Sequence, residues 1–424
     1  MELLMPLLTF GPIGVFLAYA VTRSTPAKER SFVLRLLLLA LGLRLLLCVI
    51  FVALPQIRVF HEDAEGTEMV AQAIATQWRG EGPGFPLPAA NWGYAYLCAG
   101  IYFIFGRYQA NASCFNALLG TGLVFLVYRL SKQLFHVVVA KRAAMMVALM
   151  PSMVLWGAMA LKDLPMTFFI VLSLSSCLSL KQKVTMPALL GTFLPLLPIQ
   201  AMRFYVFYFV IFAIGVAFIL DRSAKAITGV YRQLLLFALF GGLFALLGLA
   251  DRAESDASEY MSLAYLSNYR HGMAATANSG FDADVDISTP GGALAYLPIG
   301  LSYLLLAPFP WQMTSLRPLV AAPETIFWWS LVPGVIRGIK FALKRRFEMT
   351  SPIIVFAITL ASVYSLMHGN VGSAFRQRTQ ILVFLFIFSA LGTYLKRARS
   401  VGMNPDALLC DDKESSLEPA TGTV

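Results

Sequence analysis

Charge is scarce in this chain. Asp, Glu, Lys and Arg make up 13% of its 424 residues and apolar residues 58%, against roughly 25% charged in an ordinary soluble domain. A water-soluble globule is excluded, and an integral membrane protein remains. Cysteine is sparse and unpatterned: Cys48, Cys98, Cys114, Cys177 and Cys410 form no CxxC pair and lie mostly in or beside apolar segments. They imply neither a disulfide framework nor a metal cluster, only small apolar packing residues. The histidines number four, and those expected outside, His61 and His271, lack further ligands at the spacing a metal site requires. Neither GxGxxG nor GxxxxGK[ST] occurs, so a nucleotide-binding fold has no support. The net charge of +10 does not argue for nucleic acid, because in a membrane chain the location of charges matters more than their sum. No internal repeat and no long polar block interrupt the pattern.

What is present is a succession of apolar stretches of about the 20 residues that cross a hydrocarbon core. The expected spans are 3–22, 32–54, 109–128, 143–160, 164–180, 186–202, 203–220, 233–250, 320–336, 352–368 and 380–395. The first lacks a basic region ahead of it and reads as a retained anchor. Basic residues cluster in alternate loops, around Arg23/Lys28/Arg30, Arg129/Lys132/Lys141/Arg142, Lys181/Lys183, Arg222/Lys225/Arg232, Arg337–Arg346 and Lys396–Arg399. The positive-inside rule makes those loops cytoplasmic. Counting 93–106 or 293–310 as a further crossing would move a basic cluster outside, so both are expected to lie at the outer face. The expected fold is an all-α polytopic transmembrane helical bundle of about eleven spans plus juxtamembrane helices. Residues 1–400 form one domain with outer loops 55–108 and 251–319, and 401–424 form a disordered cytoplasmic tail. Trp78, Trp92, Trp156 and Trp311 fall near the outer edge, where an interfacial aromatic belt belongs.

Against this apolar background the outer polar residues stand out. The stretch "RVFHEDAEGTEMVAQAIATQW" (58–78) packs Glu62, Asp63, Glu65 and Glu68 into seven residues at the start of an amphipathic pattern. Asp63 capping a surface helix, with Glu65 and Glu68 complementing its dipole, explains this as well as a site does. In "WGAMALKDLPMTFF" (156–169), Lys162 and Asp163 form a tight turn between spans. Adjacent residues cannot face each other on a helix, and Asp163 is a candidate cap or a candidate site residue. Arg203, Arg376 and Arg378 begin apolar spans, where snorkelling accounts for any one of them. Two arginines two residues apart after Gly369 and Gly372, in "HGNVGSAFRQRTQ", suit an anionic group such as a phosphate. Arg44 lies near the middle of its span, where a charge needs a partner that the sequence does not name. The "NAS" sequon at Asn111 sits at the start of a span and reads as coincidence.

Outer carboxylates, outer arginines and a membrane-embedded body point to chemistry on a substrate that is part lipid and part anion, such as a polyprenyl-phosphate sugar. The chain resembles the GT-C superfamily of polytopic glycosyltransferases, near the protein mannosyltransferase, ArnT-like and RgtA/B/C/D-like branch. The likeness runs through "HEDAEGTEMVAQAIA", "NWGYAYLCAGIYFIFGRYQANASCFNALLGTGLVFLVYRLSKQLF" and "AKRAAMMVALMPSMVLWGAMALKDLPMTFF", and more loosely "STPGGALAYLPIGL" and "GNVGSAFRQR". The resemblance implies a hexosyl- or pentosyltransferase of the cell envelope, multi-pass in the plasma (inner) membrane, with its active site on the extracytoplasmic side. Its partners would be a polyprenyl-phosphate sugar donor, membrane lipid and a lipid, glycan or protein acceptor, with no nucleic acid. It implies a catalytic carboxylate at Asp63 or its neighbour Glu62, and a substrate-binding set of Asp163, Lys162, Arg203, Arg376 and Arg378. The acidic pair is followed here by Ala64, so which member is the base stays open, as does a divalent metal. No large folded outer domain at the C-terminus, of the kind some relatives carry, is expected. An O-antigen-type polymerase or ligase would share the arginines. A lipid or solute transporter would instead place polar sites at the midplane.

Overall fold

The computed structural model describes residues 3–54, 62–81, 92–220, 262–277, 279–313, 316–400 and 402, and of residues 62, 63, 109 and 316–318 the backbone alone. The span expected at 233–250, the tail from 403, and 55–61, 82–91 and 251–261 of the expected outer loops lie outside the described residues. The described chain is an all-α, multi-pass membrane bundle. Seven of its helices are long and apolar enough to cross a membrane.

The order begins with α1 (Leu4–Thr22) and α2 (Ala27–Ala53), then α3 (Glu62–Trp78) and the short apolar α4 (Gly93–Phe105). There follow α5 (Gln109–Leu134), the bent pair α6 (Val137–Leu149) and α7 (Pro151–Gly157), and α8 (Asp163–Gln182). Next come α9 (Met186–Phe193), α10 (Leu196–Met202) and α11 (Phe204–Ile219). After the undescribed stretch the chain forms α12 (Leu263–Thr276), α13 (Pro290–Leu306), α14 (Leu316–Arg345), α15 (Phe347–Met367), α16 (Val371–Gln377) and α17 (Thr379–Ser400). Local chemistry sets several boundaries. Thr185, Ser262, Thr289 and Asn370 accept hydrogen bonds from the first-turn N–H groups of α9, α12, α13 and α16.

Packing between spans relies on small residues, because lipid offers no hydrophobic drive for helix association. Gly334 and Gly338 of α14 form a GxxxG stripe against α17. A Cβ at Gly338 would fall 2.0 Å from the Phe388 carbonyl oxygen, and one at Gly392 1.9 Å from that of Gly334. The basic loops among the described residues gather at one end of the bundle. There Lys132 pairs with Glu29 at 2.7 Å, Tyr128 also donates to Glu29, and Lys181 donates to the Glu348 carbonyl at 3.0 Å. Helix α8 begins at Asp163 and ends beside Lys181, so Asp163 occupies the opposite end.

Arg44 finds its partners in backbone carbonyls. The α6–α7 pair is bent by 59° where Pro151 lacks the N–H that would serve the Val147 carbonyl. Arg44 Nη2 donates to that oxygen at 3.3 Å, and Nη1 to Ala40 at 3.0 Å. The other side of the break is capped by Glu324 of α14, whose Oε2 accepts from the Ser152 N–H at 2.6 Å. The aromatic belt needs one correction. Trp78, Trp92 and Trp311 are exposed, but Trp156 is buried, because the bend turns α7 into the packing against Cys48, Cys114 and Phe10. Asn111 is also buried, and its amide donates to the Gly106 carbonyl at 2.9 Å, at the end of α4.

Candidate functional site

Asp163 is the first residue of α8, and the N-cap position before it is taken by Lys162, whose side chain makes no capping bond. The turn before it is held by Asn116 of α5, whose amide donates to the carbonyls of Met159 (2.7 Å) and Leu161 (2.9 Å). This buries the Asp163 carboxylate, 1% exposed, where it needs charged partners. It has two. Arg203 Nη2 reaches Oδ1 at 2.7 Å and Arg376 Nε reaches Oδ2 at 3.0 Å. Arg203 occupies the extended residue between α10 and α11, which turns its side chain inward; it is 3% exposed rather than snorkelling. Its Nη1 donates to Tyr364 Oη at 2.8 Å and Gln377 Oε1 at 2.6 Å, and Tyr364 Oη donates on to Gln380 Oε1 at 3.1 Å. Both carboxylate oxygens are therefore engaged by guanidinium groups, which leaves Asp163 as a clamp that fixes two arginines in register.

The cluster floors a cavity of about 480 Å³, within the range of small-molecule sites. Lys162, Arg203 and Arg376 bring three positive charges to its lining and Asp163 one negative, a surplus of two among the described residues. The remaining wall is aromatic and apolar, with Phe204, Tyr205 and Phe209 from α11 and Tyr265 and Tyr269 from α12. Thr67 of α3 also lines it. The backbone of Asp63 lies four residues before Thr67 in the same helix. Glu62 opens that helix, and the side chains of both acidic residues lie outside the described set. Of the other acidic residues in α3, Glu65 is exposed and Glu68 accepts from Gln72 at 2.9 Å.

Arg378 is not brought to the cavity. Two residues beyond Arg376 it is fully buried, its guanidinium 4.0 Å over the Phe375 ring. Its Nη1 donates to the carbonyl of Ala307 at 2.7 Å, just past the C-terminus of α13, where carbonyls lack intrahelical donors. The arginine pair thus divides, one side chain to the cavity and one to the scaffold. The polar partners Tyr364, Gln377 and Gln380, and the tyrosines of α12, were not singled out in the sequence. The signal available for the last was an i, i+4 tyrosine pair in a polar segment. Among the described residues no three His, Cys, Asp or Glu side chains converge as a metal site. In the loop between α12 and α13, exposed Asp286 accepts from the Ser288 N–H at 2.7 Å, which holds its carboxyl below the usual range.

The class these features define is a polytopic membrane protein with a buried carboxylate–arginine cluster opening on an aromatic cavity. No protein-family model matches the sequence, and no curated protein matches it. Among solved structures it is similar to the archaeal oligosaccharyltransferase AglB from Archaeoglobus fulgidus in complex with an inhibitory peptide and a dolichol-phosphate. That likeness has 13% identity and a TM-score of 0.45, over 82% of this chain and 49% of that one. An oligosaccharyltransferase structure from the same organism, in complex with Zn and sulfate, is similar at 15% identity and a TM-score of 0.31, over 77% and 49%. The chain spans about half the length of these solved structures.

Proposed function

We propose that this chain is a membrane glycosyltransferase that moves a sugar from a polyprenyl-phosphate donor to an acceptor hydroxyl on the extracytoplasmic face of the plasma membrane. The observation that carries the reading is the cavity itself, which joins a cationic floor of Lys162, Arg203 and Arg376 to an apolar, aromatic wall beside a membrane span. A ligand matching both is an anion on a lipid chain. The resemblance to GT-C glycosyltransferases adds the carboxylates of α3, which fit the general-base role.

In the proposed reaction Asp63 or Glu62 takes the proton from the acceptor hydroxyl. The oxygen attacks the anomeric carbon, the bond from that carbon to the phosphate oxygen breaks, and its electron pair leaves with the lipid phosphate. Arg376, Arg203 and Lys162 stabilise the negative charge that develops on the departing group. Asp163 acts by holding Arg376 and Arg203 in place, and it receives no proton while both oxygens are ion-paired. Arg378 supports the scaffold beneath this arrangement.

The test is incubation of the purified full chain with a panel of polyprenyl-phosphate sugars and hydroxyl acceptors, reading the free lipid phosphate. Release from one member of the panel, coupled to glycosylation of the acceptor, is expected. Absence of release across the panel, from protein that retains its thermal unfolding transition, would overturn the reading.

A further inference from the structure

Helix α12 differs from the helices around it. Its sequence, "LAYLSNYRHGMAAT", is not that of a membrane span, and only Leu266, Arg270 and Ala274 are buried. Yet Tyr265 and Tyr269 both line the cavity. Their rings lie 6.2 Å apart at an interplanar angle of 20°, one helical turn apart, and Tyr269 is 40% exposed. Phe204 and Phe209, which also line the cavity, belong to the strongly apolar α11. The cavity lining therefore joins the lipid-like side chains of α11 to a pair of near-parallel tyrosines on α12, one of them exposed.

The tyrosine pair is fixed relative to the arginine floor. A Cβ at Gly369 would fall 2.5 Å from the Arg270 carbonyl oxygen, and one at Gly280 1.9 Å from that of Ala274, so α12 packs directly on both backbones. Those two strands of chain bridge each other, with Phe281 N donating to the Gly369 carbonyl at 2.9 Å and Val371 N to the Ser279 carbonyl at 3.0 Å. Arg270 completes the clasp, donating to the Asp282 carbonyl at 2.6 Å and to Tyr296 Oη at 2.8 Å. Helix α16, which carries Arg376, starts within this bridge. A phosphate held at Arg376 thus lies at a set distance from the tyrosine faces, the preorganisation a positioning surface requires.

We infer that Tyr265 and Tyr269 form the platform on which the transferred sugar lies, its C–H face on the rings, while the prenyl chain follows the α11 side chains. Flat aromatic side chains with a polar edge suit a ligand of mixed character. This deepens the proposed function and rests on it, because the platform acquires its meaning from a lipid-phosphate sugar bound at Arg376.

The experiment compares two probes of equal chain length, a polyprenyl monophosphate and the same polyprenyl phosphate carrying a hexose, binding to the full-length protein in nanodiscs. The wild type is expected to prefer the sugar-bearing probe. Tyr265→Ala or Tyr269→Ala should erode that preference about fivefold per ring, the size of one lost aromatic contact, and leave the bare lipid phosphate unchanged. Tyr265→Phe and Tyr269→Phe should retain most of the preference. Tyr269→Leu, which keeps bulk without a flat face at an exposed position, should behave like the alanine variant and serves if the alanine proteins do not fold. Equal weakening of both probes would assign the tyrosines to the lipid and overturn the inference. So would an unchanged preference in the variants, or a wild type that binds the two probes equally. A wild type that binds neither probe would refute the functional reading beneath it.

Discussion

Replacement of Asp163 by asparagine isolates what the buried carboxylate does. Asparagine preserves shape and one acceptor oxygen, so Arg203 can keep a neutral hydrogen bond, but the charge that balances two guanidinium groups is gone. The Arg203 pair is buried, with 4% and 1% side-chain exposure, and breaking such a pair costs about 3–5 kcal/mol. The Arg376 arm is 19% exposed and adds only about 1 kcal/mol. The retained acceptor offsets part of the first figure, which leaves an expected loss of about 3 kcal/mol. Thermal unfolding in detergent should therefore shift down by several degrees. Transfer should fall about 100-fold, because the arginines lose the geometry that meets the phosphate. Asp163→Asn and Arg376→Gln, measured singly and together, should be non-additive by about 1–3 kcal/mol in kcat/KM. An Asp163→Asn protein with an unchanged unfolding temperature and abolished transfer would identify the carboxylate as the base and refute the clamp. Additivity within about 0.5 kcal/mol would refute the coupling.

Arg378→Gln should lower the unfolding temperature and leave the KM for donor within about twofold, whereas Arg376→Gln should raise that KM, since only the latter lines the cavity. Arg44→Met should destabilise by about 1–3 kcal/mol by stranding the Val147 carbonyl. Thermal unfolding in detergent checks this, and an Arg44→Met protein as stable as the wild type would contradict it. For sidedness, cysteine introduced at exposed Gly66 should react with a membrane-impermeant thiol reagent in intact cells, and cysteine at exposed Lys183 should not. The native cysteines at 48, 98, 114 and 177 are buried, so replacing Cys410 suffices for a silent background, and labelling only at 183 would reverse the topology.

The architecture was largely legible because the lipid requirement imprints length and polarity directly. Among the described residues, every expected span coincides with a helix or a broken pair. The breaks at Met150–Pro151 and around Pro195 were not marked as such, since a proline inside an apolar run looks the same whether it kinks a span or divides it. Asp163 and the arginines stood out for their charge, but their pairing depends on contacts between residues 163, 203 and 376, and nothing local in the sequence encodes that meeting. Arg376 and Arg378 show this limit most clearly. Two residues apart they read as one anion site, while the chain turns from α16 into α17 between them and sends the second to the carbonyls of α13. Arg44 lay in the same category: the sequence required a partner for it, and the partner arises from a proline 107 positions away.

In the proposed reaction, carboxylates of α3 and arginines of the cavity floor act on one substrate. Polyprenyl phosphate released from a polyprenyl-phosphate sugar should be measured for the wild type, for Asp63→Asn combined with Glu62→Gln, and for Arg376→Gln, all confirmed to be membrane-inserted. Loss of release in both variants is the predicted result. Release at the wild-type rate without the two carboxylates, with release abolished by Arg376→Gln, would contradict it and favour an arginine-driven polymerase or ligase.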